Sequence, residues 1–161
     1  MKIGLAPIVD KYCKILILGS LPSELSIYHT QYYANPRNHF WQIILPILQE
    51  PMFDRYEDKI QALLKHNIAL WDVIRFAERD GSLDSSIKNA VPNDLEKFLY
   101  KYKNIKKIVL NGNEAAKQYE KYFFNLSVKY IKVRSSSPIP TQKCNSIEEK
   151  IIVWKTAIID Y

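Results

Sequence analysis

Lys14-Ile15-Leu16-Ile17-Leu18-Gly19 sets consecutive branched aliphatics between a lysine and a glycine. An apolar run this short, without alternation, reads as a strand buried on both faces, and its terminal glycine opens onto a loop. Ile68 to Ile74, Lys106 to Leu110 and Val128 to Val133 have the same character. Helical patterns lie between and after them. Phe40 to Gln49 is one, with Pro46 expected to kink or split it. Asp54 to Lys65 is a second, carrying Tyr56, Ile60, Leu63 and Leu64 on one side. A third opens at Pro92-Asn93-Asp94 and reaches Tyr102, a fourth follows Asn111-Gly112 through Tyr122, and a fifth runs from Ile147 to Ile159. Ser146 and Glu149 give the last one a capping-box start. Strands alternating with helices predict an α/β fold: a three-layer α/β/α sandwich around a central, mainly parallel four-stranded sheet, in a single domain over residues 1–161. Residues 20–37 and 78–91 read as long connections without elements, and such loops are more often functional than idle.

Composition narrows the function. With 47% hydrophobic and 25% charged residues, the chain is neither disordered nor fibrous. Its 4 glycines form no phosphate cradle of the P-loop or dinucleotide-binding type. No apolar stretch approaches the roughly 20 residues of a membrane span. Asp10, Lys11 and Lys14 interrupt any signal-like core, so a cytoplasmic protein, nucleoid-associated when acting on DNA, is expected. Lys and Arg total 23 against 17 Asp and Glu, a net charge of +6 that favours polyanionic partners. Cys13, Cys144, His29, His39 and His66 are scattered without metal-ligand spacing, so neither a metal nor a cofactor is expected. In parallel sheets ligands bind at the carboxyl ends of the strands. Gly19 onward, Asp72, Asn111-Gly112 and the Ser135 loop therefore belong together.

Gly19-Ser20-Leu21-Pro22-Ser23-Glu24-Leu25-Ser26, followed by Gln31-Tyr32-Tyr33-Ala34-Asn35-Pro36-Arg37-Asn38-His39-Phe40-Trp41, resembles the uracil-DNA glycosylase superfamily, most closely its hypoxanthine-DNA glycosylase branch. That branch carries G-S-x-P-x-x-x-S and then Y-Y-x-x-P-x-N-x-F-W. Ala69 to Ile74, Gly81-Ser82-Leu83-Asp84-Ser85, Leu110-Asn111-Gly112-Asn113 and Ser135-Ser136-Ser137-Pro138 continue the match in the family's order. Two departures stand out. Leu21 occupies the place where mismatch glycosylases carry a catalytic Asn, and the hypoxanthine branch likewise lacks an Asn there. The late loop reads Val133-Arg134-Ser135-Ser136-Ser137-Pro138-Ile139 where the family usually has L-P-S-T-S-P-A.

The resemblance implies a monofunctional DNA repair glycosylase that flips a deaminated base (hypoxanthine, uracil or xanthine) out of DNA and hydrolyses its bond to deoxyribose, working as a monomer. Asn38 is the first catalytic candidate, because an amide can orient water or hydrogen-bond the leaving base. It equally suits an N-cap before the Phe40 helix. Asn35 is its alternate. Asp72 could select a base presenting a ring N–H, activate water, or serve as a capping or ion-paired aspartate. Tyr33 matches the position that stacks on the flipped base, with Tyr32 as its alternative. Gly19, Ser20, Pro22 and Ser23 form one expected phosphate-holding turn; Ser135, Ser136, Ser137 and Pro138 form the other, with Ile139 a probe into the vacated stack. Arg37 and Arg134 are expected backbone contacts, while Phe40 and Trp41 are assigned to the core. Two rival readings remain: a lesion-sensing DNA-binding relative without turnover, and a hydrolase of free nucleosides.

Overall fold

A computed structural model describes residues 1–138 and 146–159. The elements in chain order are β1 (Lys2–Ile3), β2 (Ile15–Gly19), α1 (Glu24–His29), α2 (Phe40–Ile47), α3 (Tyr56–Lys65), β3 (Ile68–Asp72), β4 (Ile74–Glu78), β5 (Lys88–Pro92), α4 (Leu95–Lys101), β6 (Lys107–Asn111), α5 (Asn113–Phe123), β7 (Lys129–Val133) and α6 (Ile147–Ile159). Four strands form the expected sheet in the order β3-β2-β6-β7. Every neighbour is parallel, with Ile17 opposite both Leu70 and Val109.

The layers follow from the period-two alternation of a strand. Ile17, Ile68, Leu70 and Val109 point to one face and pack with Phe40, Ile43, Ile44, Leu63 and Trp154 of α2, α3 and α6. Leu16, Leu18, Ala69, Ile108 and Leu110 point to the other, against Leu95, Phe98, Ala115, Tyr119 and Phe123 of α4 and α5. The α/β/α sandwich is thus two cores separated by one sheet. Phe40 and Trp41 are buried as assigned.

Four local expectations are corrected. Ile68 to Ile74 is not one strand: the chain leaves the parallel sheet at Val73, and β4 pairs antiparallel with β1 and β5 in a second, three-stranded sheet. Asn93 holds that junction, donating its N–H to the Val73 carbonyl and its side-chain amide to that of Asp72, both at 2.8 Å. Residues 20–37 contain α1, whose cap Ser23 accepts a hydrogen bond from the Ser26 N–H at 3.1 Å. Residues 78–91 contain a short 3-10 turn, Asp84–Ser86, and most of β5. Pro46 does not split its helix, because it falls in the last turn of α2, just before the cap Leu48. Period-two and period-3.6 patterns are averages over several residues, and these short elements offer too few positions to display them. The α6 start matches expectation, with Ser146 Oγ accepting from the Glu149 N–H at 3.1 Å.

Candidate active site

The carboxyl ends of β2, β3, β6 and β7 open onto one pocket of about 270 Å³, bordered by Gly19, Asp72, Asn111 and the loop after Val133. Every catalytic and substrate-binding candidate lines it: Asn35, Asn38 and Asp72; Tyr33; Gly19, Ser20, Pro22 and Ser23; and Ser135 to Pro138. His39, Arg37 and Arg134 are not among the lining residues. Ile139 lies outside the described residues.

Asp72 ends β3 with 5% of its surface exposed. A Cβ built on Gly19 would lie 2.5 Å from Asp72 Oδ1 and 3.1 Å from the Tyr33 hydroxyl, so the glycine is what lets the carboxylate settle over the end of β2. Asp72 Oδ2 is buried and has no hydrogen-bond partner among the described residues. Leaving such an acceptor unpaired costs about 1–3 kcal/mol. Burial pushes the Asp72 carboxyl up to about 7 from an ordinary 3.8, Asp84 adds to the rise and Arg79 opposes it. Desolvation outweighs the cation, and the group titrates near neutrality.

The pocket wall falls into two hydrogen-bonded groups of loops. In one, the Arg79 side chain is buried and donates to the carbonyls of Leu21 (3.2 Å), Gly81 (3.1 Å) and Pro22. Ser20 Oγ donates to Asp84 Oδ1 at 2.9 Å, and the Glu24 N–H donates to Ser82 Oγ at 2.9 Å. Leu21 packs with Ile74 and Ala77 in a small apolar cluster against the second sheet. At the place of the mismatch enzymes' Asn, this chain therefore has a core residue.

In the other group, Asn111 uses both ends of its amide. Its Nδ2 donates to the Tyr33 hydroxyl and to Ser136 Oγ, and its Oδ1 accepts from the Ser136 N–H, all at 2.9 Å. The Ser136 carbonyl accepts from the His39 N–H at 2.9 Å, tying the late loop to the start of α2. Tyr33 sits at φ 55°, in the left-handed region that a bulky residue occupies only when its surroundings impose it. Here they do: besides the Asn111 bond, its ring stacks on Phe40 with centroids 4.0 Å apart and planes 13° off parallel. Tyr32 is instead a core residue whose hydroxyl donates to the Ala6 carbonyl at 2.8 Å.

Asn38 lies one residue before the α2 cap His39, so it braces the start of the helix without being its cap, and it lines the pocket. Its Oδ1 accepts from the Phe40 N–H at 2.9 Å, which orients the amide, while Nδ2 makes no hydrogen bond among the described residues. The amide of Asn35 is similarly turned inward, Oδ1 accepting from the Arg37 N–H at 3.0 Å. The serine hydroxyls are also engaged within the loops: Ser23 caps α1, Ser20 bonds Asp84, Ser135 accepts from the Ser137 N–H and Ser136 from Asn111. They shape the turns from within.

Sequence reading assigned no role to Arg79 and gave Asn111 only its place at a strand exit. Asn111 closes the third strand exit, which was a usable signal. Arg79 had none, since nothing near it in the chain shows that it reaches Leu21 and Pro22.

The strand exits of this parallel sheet meet at an amide-lined pocket with one buried carboxylate, and the chain matches the family model of the uracil DNA glycosylase superfamily over residues 6–157; it belongs to that superfamily. It is a DNA glycosylase, a hydrolase of N-glycosidic bonds, with DNA as substrate. Among its relatives, a hypoxanthine DNA glycosylase of Methanosarcina barkeri is 36% identical over 120 residues, covering 74% of this chain and 75% of that protein. One from Methanosarcina acetivorans is 39% identical over 121 residues, covering 74% and 76%. A solution NMR structure of a protein described as a candidate uracil DNA glycosylase from Methanosarcina acetivorans superposes with a TM-score of 0.81 at 33% identity, covering 97% of this chain and 98% of that one. No helix among the described residues is long and apolar enough to cross a membrane.

Proposed function

We propose that the protein removes hypoxanthine from DNA by drawing the deoxyinosine base out of the helix into the pocket and hydrolysing its bond to C1′. The observation that carries this reading is the pairing of Asp72, a buried carboxylate with an unpartnered oxygen, with Asn38, an amide whose oxygen is already held by α2. Asp72 and Asn38 then give the pocket an acceptor and a donor with distinct duties. As a carboxylate, Asp72 accepts a hydrogen bond from the ring N–H of hypoxanthine, or takes the proton of the attacking water. Adenine presents a bare acceptor at that ring position and would leave Asp72 unpaired. Asn38 donates through Nδ2 to the negative charge that gathers on the departing base as the C1′–N bond breaks. Water supplies the oxygen that remains on C1′, and the bond pair leaves with the base. Tyr33, backed by Phe40, offers a fixed ring for the base to stack on. The pocket of about 270 Å³ has room for a single base.

Labelled duplexes containing inosine, uracil, xanthine or mismatched thymine, incubated with the protein and then treated with alkali, test the reading. Cleavage at inosine is expected. Asn38→Ala should lower turnover by on the order of 100-fold while DNA binding persists. Binding without cleavage at any lesion would leave a lesion sensor in place of an enzyme of this specificity.

A further inference from the structure

The amino ends of the parallel strands lie at the opposite end of the sheet from the active-site pocket, and they open onto a groove of about 760 Å³. Lys14, Lys106, Lys107 and Lys129 line it. The first two immediately precede β2 and β6, and the last two open β6 and β7. Strand register brings them together: Lys107 pairs with Lys129, and the Lys106 N–H donates to the Lys14 carbonyl at 2.9 Å. Lys107 is buried and donates to the Ala157 carbonyl of α6, while Lys14, Lys106 and Lys129 are exposed. Among the described residues no Asp or Glu lines this groove. The active-site pocket is the reverse, lined by Asp72 and Asp84 and by no described Lys or Arg.

Two exposed rings stand on the chain segments that meet at the groove. Asn104, a lining residue, donates its side-chain amide to the Lys11 carbonyl at 2.8 Å, tying the turn before β2 to the turn after α4. Tyr12, in the first of these turns, is 60% exposed, with Lys11 Nζ 5.2 Å from its ring centre. Tyr100, near the end of α4, is 76% exposed, with Lys103 Nζ 5.1 Å from its ring centre. Cations and open aromatic rings thus gather at the end of the sheet away from the chemistry.

One class of ligand uses both features. A phosphodiester chain brings a regular series of negative charges to the lysines, and in a single strand each base also offers an open π-face to a tyrosine. Isolated anions would occupy the lysines and leave the rings idle. In a duplex the base faces are already stacked on one another. We infer that this groove binds single-stranded DNA, through its backbone and its base faces and without reading sequence, at a site separate from the active-site pocket. The inference does not depend on which base that pocket takes. Because the two sites open at opposite ends of one sheet, a single molecule can hold an unpaired strand while its pocket engages a lesion.

The probe is a fluorescein-labelled oligothymidylate of about 20 nucleotides, free of lesions, titrated with the full chain and followed by anisotropy. The triple variant Lys14→Gln, Lys106→Gln, Lys129→Gln is expected to bind about tenfold more weakly or worse. Its slope of log affinity against log salt should be shallower by about 2, as three lost phosphate contacts on a single strand require. The same charge change at Lys88, Lys117 and Lys155, exposed on β5, α5 and α6, should weaken binding by less than about threefold. Tyr12→Ala and Tyr100→Ala should each weaken single-strand binding by about fivefold or more and leave binding of a blunt duplex of equal length unchanged. No binding of the strand by the wild type, equal weakening by the two lysine sets, or a tyrosine effect as large on the duplex overturns the inference. If the triple variant does not fold, the tyrosine variants decide. Excision of deoxyinosine from a short duplex should stay within about twofold of wild type in the triple variant, and a fall in step with single-strand binding would make the two sites one and overturn the inference. A wild type that leaves deoxyinosine uncut defeats the hypoxanthine reading, and the titrations still decide this one.

Discussion

The pocket wall has two halves held by different forces. Residues 20–24 with 79–84 are organised by charge: a buried guanidinium gathers three carbonyls, and Asp84 holds Ser20. Residues 33–39, Asn111 and 135–138 are organised mainly by neutral amides and hydroxyls, with Asn111 at the centre, joined by one buried cation, Lys150, which donates to the Ser137 carbonyl at 3.0 Å. Asp72 lies between them: burial raises its pKa most, and the two charges that then act on it, Asp84 raising and Arg79 lowering, both come from the charged half. Changes in the charged half should therefore alter folding and pH response, while changes in the neutral half should alter geometry at any pH.

The largest effect is expected from Arg79→Ala. Removing the cation leaves buried carbonyls unpaired, and loss of one member of a buried polar assembly costs about 3–5 kcal/mol, readable as a lower urea midpoint. A midpoint within error of wild type would show that the charged half is not held by Arg79.

Asp72→Asn comes next. Excision at pH 8 should fall by on the order of 100-fold or more, and the loss of rate on acidification through about 7 should vanish with it. Stability shows the opposite sign. Because the Asp72 pKa is raised by folding, its contribution is full below the ordinary carboxylate range and is lost as pH rises through about 7. The Asn variant should gain relative stability by about 1–4 kcal/mol above pH 7, and the gain should fade as pH falls. A rate that keeps its acid limb in the variant would move the titrating group elsewhere.

In the neutral half, Asn111→Ala deletes three hydrogen bonds and should cost about 1–3 kcal/mol of stability. Excision should drop by about tenfold, equally at pH 6 and pH 8. A pH-dependent loss would erase the distinction between the halves. Tyr33→Phe is the smallest change: it removes one of those bonds and keeps the ring on Phe40, so excision should stay within about threefold of wild type. Tyr33→Ala should do visibly more, through the lost stacking surface.

The sheet was legible in the chain because each core strand announces itself locally. Ile15 to Leu18 is apolar throughout, as a strand covered on both faces must be, and Ile147 to Ile159 carries its own cap. The pocket members were legible as sequence blocks and as strand exits. Their partners were not. Nothing near Asn38 shows whether its bond to the Phe40 N–H leaves half of the amide free, and the break at Val73 depends on Asn93, from the far side of β4 and β5.

From its sequence alone this protein's parallel layers, their two apolar faces and the set of residues at the strand ends were determined, since hydrophobic period and strand termini are written in adjacent positions. Tertiary structure decided the rest: the carbonyls Arg79 gathers, the end of the Asn38 amide that stays open, the near-neutral titration of Asp72 and the meeting of Lys14, Lys106, Lys107 and Lys129 at one groove. A polar side chain's partners come from wherever the fold brings the backbone past it, and a carboxyl's proton affinity from how much water the packed whole excludes.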